Sequence, residues 1–296
     1  MIMAKSSDLM TRAYAPRARI QLVHVEVVDA ARALEQSHLA GPTAGLVLAE
    51  ALAGVALLGA ELARPQETVT LRMRVSGPVG GILVEMSHEG HLRGYTNQKV
   101  MNDLDGREEL ESAEAFGDRA DVQIVRSIPG QILAHATLET RPASVRTAVA
   151  QYYAHSLQRP AAAQIVAVAY GGALDLARGL LALALPDVDH AEFERLSALF
   201  DDDTVSQELE SCTSLAELGE TLGLSDLQFE ESRPLRFACR CSRARVADLL
   251  QGLPTEDLAA MAQQAKPASI YCHMCGKGYE VSVEELKKLL EKRKNG

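Results

Sequence analysis

Between positions 19 and 185 the hydrophobic positions alternate between two periods. Arg19–Val27 is strand-like, and Val28–His38 shifts to helical spacing, with Ala31 and Leu34 set among Asp29, Arg32 and Glu35. Pro42-Thr43 opens an Ala/Leu-rich helix reaching about Leu62, apolar on most faces and therefore central. Thr68–Val75 alternates Thr68, Thr70, Arg72 and Arg74 with Val69, Leu71, Met73 and Val75, which predicts a strand. Gly81–Ser87 and His91–Asn97 follow as a strand pair around Glu89-Gly90. Further strands are predicted at Ala120–Arg126, Ile132–Thr140, Ala162–Tyr170 and Leu174–Leu185, with a helix at Val145–Leu157. Many strands joined by short turns, with a few helices between, predict an α+β fold built on a large, mainly antiparallel sheet.

After Leu185 the pattern becomes sparse but stays helical. Phe193, Leu196 and Phe200 recur at i, i+3, i+7; Val205, Leu209 and Cys212 at i, i+4, i+7; Leu215, Leu218 and Leu222 repeat the first spacing. These are short amphipathic helices, each too short to stand without a surface to pack on. Cys212, on such a stripe, reads as a buried, inert thiol. Further on, Ser242 caps a helix over Arg243–Leu250, Pro254-Thr255 precedes a helix over Glu256–Gln264, and Tyr279–Val281 is a strand. Ser282 and Glu285 form a capping box for a final basic helix.

Charge sharpens these divisions. The chain has 296 residues and a formal net charge of −10. Residues 1–186 sum to −2, residues 187–231 to −13 with Arg195 as the one basic residue, and residues 232–296 to +5. The predicted organisation is therefore a body (1–186), an acidic helical linker (187–231) and a small C-terminal module (232–296). Fourteen acids in the linker repel one another, which lowers the cost of undocking it. The acidic balance disfavours a broad nucleic-acid surface. The first twenty residues hold no apolar run resembling a signal, and Glu50 and Glu61 interrupt the apolar run 44–63. The expectation is a cytosolic protein with no membrane partner.

The chemistry concentrates at the end of the chain. Cys239-Arg240-Cys241 and Cys272-His273-Met274-Cys275-Gly276 supply two close cysteine pairs, the arrangement of a tetrahedral four-thiolate zinc site for one Zn²⁺. His273 is a fifth possible ligand, predicted to point outward. Arg240, Arg243, Arg245 and Lys277 flank the sulfurs and favour the thiolate forms that oxidants attack. So small a module has little core of its own, so metal binding would carry its folding, and oxidation would remove that support. The body offers no comparable site: His24, His38, His88, His91, His135 and His155 are scattered, and Gly77–Gly81 lacks the Lys-Ser/Thr of a phosphate loop.

These residues make the sequence similar to a known family, the redox-regulated thirty-three-kilodalton heat-shock chaperones of bacteria. The likeness rests on Cys239-x-Cys241, Ser242–Val246, Cys272-x-x-Cys275-Gly276 and Glu284-Glu285-Leu286. It continues through Gly77–Gly81, Gly94-Tyr95 and Tyr152–Ser156 and covers essentially the whole chain. The resemblance implies a non-enzymatic, ATP-independent holdase, inactive when reduced and zinc-bound. It further implies Cys239–Cys241 and Cys272–Cys275 disulfides on oxidation, zinc release, unfolding of module and linker, and a homodimer that binds unfolding client proteins. Body residues 1–186 would then serve dimerisation and client binding. The linker stripe (Phe193, Leu196, Phe200, Leu209, Leu215, Leu218 and Leu222) is the candidate client surface. Two positions depart from the family: Leu157, where Glu is usual before Gln158, and Leu183, where Gln is usual.

Two other readings are weaker. A zinc deaminase could draw on His190-Ala191-Glu192 and Cys272-x-x-Cys275, but it lacks a Pro before Cys272 and leaves Cys239 and Cys241 unexplained. A zinc-ribbon nucleic-acid binder could use the +5 tail, but it has few aromatics there and a −13 neighbour.

Overall fold

The computed structural model describes residues 8–107, 109–211, 214–264 and 266–294. Cys212 lies outside the described residues. The chain separates into two compact units, Met1–Ala238 and Cys239–Gly296.

The first unit begins with β1 (Leu9–Ala15), β2 (Ile20–Glu26), α1 (Val28–His38) and α2 (Pro42–Leu58). It continues with β3 (Thr68–Val75), β4 (Gly81–Ser87), β5 (His91–Thr96) and two short helices, α3 (Asn102–Asp105) and α4 (Ser112–Phe116). Then come β6 (Ala120–Ile128), β7 (Gln131–Thr140), α5 (Val145–Gln151), β8 (Ala161–Tyr170) and β9 (Ala173–Ala184). Three helices follow, α6 (His190–Asp201), α7 (Thr204–Ser211) and α8 (Leu215–Thr221). The unit closes with three two-residue strands, β10 (Gln228–Phe229), β11 (Arg233–Pro234) and β12 (Arg236–Phe237).

Two sheets sandwich α2. One has the order β10-β1-β2-β9-β8, with β11 also on β1; the other has the order β12-β5-β4-β3-β6-β7. The pairings are antiparallel except β12 on β5, which establishes the α+β class. The helix α2 starts with Pro42 at its first position, and the Asp105 carboxylate accepts from the Thr43 N–H at 3.0 Å. Its alanines, leucines and valines are buried all round, so a helix apolar enough to cross a membrane is here the core of the unit.

Alternation along the first sheet divides its residues between two cores. Val23, Val25, Ala177, Leu181 and Leu183 face α2, whereas Leu22, Leu180, Ala182 and Ala184 face α6, α7 and α8. Leu183 is fully buried, so a glutamine at this position would place an amide in an apolar layer.

Residues 232–238, grouped with the tail by charge, lie in the first unit. Arg233 donates to the carbonyls of Gly59 (3.1 Å) and Leu62 (3.4 Å) at the end of α2, and Arg236 lies in β12. Their positive charge serves the body. The predicted helix through Leu157 also changes character: after Gln151 it widens to a π-turn, with Leu157 N–H donating to Tyr152 O. The extra residue in that turn lets consecutive Tyr152 and Tyr153 both face the core, with rings 5.7 Å apart and edge to face.

Candidate metal centre

The second unit comprises α9 (Arg243–Gly252), α10 (Thr255–Gln263), the hairpin β13 (Ala268–Tyr271) and β14 (Gly278–Val281), and α11 (Val283–Lys294). Its buried apolar core is small: Val246, Leu250, Leu258, Ala262, Tyr279, Val281 and Leu286.

Local chain geometry brings the sulfurs together. Cys239 and Cys241 precede α9, whose cap is the Ser242 hydroxyl accepting from Arg245 N–H at 3.2 Å. Cys272 and Cys275 sit on the tight turn between β13 and β14. There Gly276 N–H donates to Cys272 O at 2.8 Å, and Gly276 holds φ +69°, a conformation that favours glycine. Across the two segments, Cys239 Sγ lies 3.8 Å from Cys272 Sγ and Cys241 Sγ lies 3.4 Å from Cys275 Sγ. All four sulfurs lie within 4.8 Å of one another. Zinc–sulfur bonds of about 2.3 Å in a tetrahedron put sulfurs about 3.8 Å apart, so the cluster fits one such ion. Its four soft donors match zinc chemistry, and no histidine or carboxylate joins the group among the described residues. His273 is exposed, and His190 and Glu192 belong to the first turn of α6 in the other unit.

The electrostatics differ from the expected thiolate bias. Burial pushes the Cys272 and Cys275 thiols up, Cys275 the more strongly. Three of the flanking cations have partners other than the sulfurs. Arg243 forks onto the Glu285 carboxylate at 2.8 Å to each oxygen, Arg245 donates to Arg240 O at 3.1 Å, and Lys277 Nζ stands 5.4 Å from the Tyr279 ring centre. In such a site the cation itself must stabilise the thiolates. Tyr279, absent from the expected site, donates its hydroxyl to Cys241 Sγ at 3.1 Å. Its signal in the sequence is its position, four residues after Cys275 on the predicted strand.

The linker residues named as a client surface are buried. Phe193, Leu196, Phe200, Leu209, Leu215, Leu218 and Leu222 form one apolar layer with Ala13, Ile20, Leu22, Leu180 and Ala182 of the first sheet.

An α+β body and a small four-thiol module define a protein with a candidate metal centre. The family model described as Hsp33 protein matches residues 8–282, so the chain belongs to the Hsp33 family of chaperones. The 33 kDa chaperonin of Symbiobacterium thermophilum is 30% identical over 285 residues, covering 95% of this chain and 96% of that one. The 33 kDa chaperonin of a Geobacillus species is 27% identical, covering 96% of this chain and 97% of its own length. The crystal structure of the 33 kDa chaperonin from Thermotoga maritima shares the fold, with a TM-score of 0.88 at 20% identity, covering 98% of this chain and all of that one.

Proposed function

We propose that this protein is an ATP-independent holdase whose activity is switched on by oxidation of its four clustered cysteines. The observation that carries the reading is the meeting of four sulfurs within 4.8 Å in a unit whose apolar core, among the described residues, is a cluster of seven. Cys239, Cys241, Cys272 and Cys275 would hold one Zn²⁺, which supplies charge neutralisation and a covalent cross-tie between the two cysteine segments.

Oxidation then acts on the ligands. Cys239 with Cys241, and Cys272 with Cys275, each lose two electrons as an S–S bond forms. Each pair reduces one hydrogen peroxide, which takes up two protons and leaves as two waters. Disulfide sulfurs are poor ligands, so the cation is released and the unit loses its cross-tie. The two-residue strands β10, β11 and β12 are the nearest pairings to fray, and α6, α7 and α8 follow them off the sheet. Release uncovers the apolar layer on both sides, and unfolding client proteins bind there. A second copy associates in the oxidised state. Thiols that cycle in this way suit a reducing compartment, the cytoplasm.

The test follows aggregation of a heat-labile client with reduced and with peroxide-treated protein, while a chromogenic chelator reports zinc. Suppression confined to the oxidised protein, with one zinc released per chain, is expected. Equal suppression in both states, or in neither, removes the switch.

A further inference from the structure

The helices α6 and α7 are acidic, and neither carries a basic residue in its last turn. A helix end presents unsatisfied carbonyls and partial negative charge, which a cation stabilises. The body supplies the missing cations. Arg146 of α5 donates to Phe200 O, in the last turn of α6, at 3.1 Å. Arg178 of β9 donates to Leu209 O, in the last turn of α7, at 2.9 Å in a buried site.

Both side chains are held from the body side. Gln164 Oε1, on β8, accepts from Arg146 at 3.3 Å. Glu26, directly across the β2–β9 ladder, faces Arg178 at 3.5 Å, and Arg178 is only 7% exposed. A guanidinium this buried is costly unless its partners stay in place. The two arginines, set in a layer that also holds buried His24 and Gln164, are thus each aimed at the carboxyl end of a successive acidic helix.

We infer that Arg146 and Arg178 are positioning residues that clasp α6 and α7 by their carboxyl ends and so set how readily the acidic segment leaves the sheet. The consequence for activation rests on the switch reading above, whereas the clasp itself is a property of the reduced protein.

The experiment is hydrogen exchange with peptide-level readout on the reduced, zinc-loaded full chain. Arg178→Met and Arg146→Met are expected to raise exchange across α6 and α7 by about ten-fold or more, the weight of a charged hydrogen bond. Exchange in β3–β6 stays unchanged, which a general loss of stability would not allow. Arg178→Lys, which keeps a cationic donor, restores part of the protection. Unchanged linker exchange in both methionine variants, or an increase spread evenly over the unit, overturns the clasp. If Arg178→Met does not fold, Arg146→Met, at a half-buried position, decides the matter alone. Failure of the switch reading has a separate signature, equal aggregation suppression by the reduced and oxidised parent protein, and leaves the exchange result able to decide the clasp.

Discussion

At the scale of single residues, the body contains a carboxyl group that works against its own burial. Glu50 lies within the core helix α2, where burial pushes its carboxyl up to about 7; the Ser112 hydroxyl that donates to it offsets only part of this. Between pH 4.5 and 7 the folded chain therefore keeps a proton that the unfolded chain has lost. Stability falls as pH rises through that window and stays reduced above it. Glu50→Gln should stabilise the reduced protein by about 1–3 kcal/mol at pH 8 and have little effect near pH 4. Urea titrations at the two pH values measure the difference; equal effects would refute the assignment. By contrast, Glu67 is held ionised. Burial alone would raise its carboxyl, but Arg126 at 2.6 Å and the Ala63 and Arg64 N–H groups outweigh it and lower it.

At the scale of elements, the approach of α5 to α2 is a tight constraint. A Cβ on Gly54 would come within 2.2 Å of Val145 Cγ1. Gly54→Ala should cost about 1–3 kcal/mol in urea melts, and adding Val145→Ala should recover part of that loss instead of adding to it. Additive costs would show that the helices have room to spare. The elements legible in the sequence were those with a strong period, such as α1, α2, β3 and the linker helices. Strand β1 was not predicted: its Ala13 and Ala15 carry little hydrophobic signal, and Phe229 and Arg233, on the short strands that cover it, lie about two hundred residues away. Strand β13 was hidden similarly, because its pattern is half-exposed and short. The four sulfurs were readable from spacing alone. Tyr279 as a donor, and Arg146 and Arg178 as clasps, depend on which segments meet, and spacing along the chain does not give that.

At the scale of the whole molecule, the two units differ in what stabilises them. The first has an extensive core around α2, while the second has, among the described residues, a core cluster of seven apolar residues and a four-sulfur cluster. Structural zinc in small domains is worth roughly 10–16 kcal/mol of apparent binding, which becomes folding free energy. On the zinc reading proposed above, a strong chelator under reducing conditions should abolish exchange protection in α9, β13 and β14. Protection in β3–β6 should persist. Simultaneous loss in both units would mean that they form one cooperative block.

The face that the linker helices cover is paved with small side chains: Ala13, Ala15, Ala162, Ala182 and Ala184 lie among Ile20, Leu22 and Leu180. As the proposed client surface, it would rank segments by how much oily area they bring more than by their contour. Texture of this kind would give up tightness for breadth, which would suit the unfolding clients of the proposed holdase.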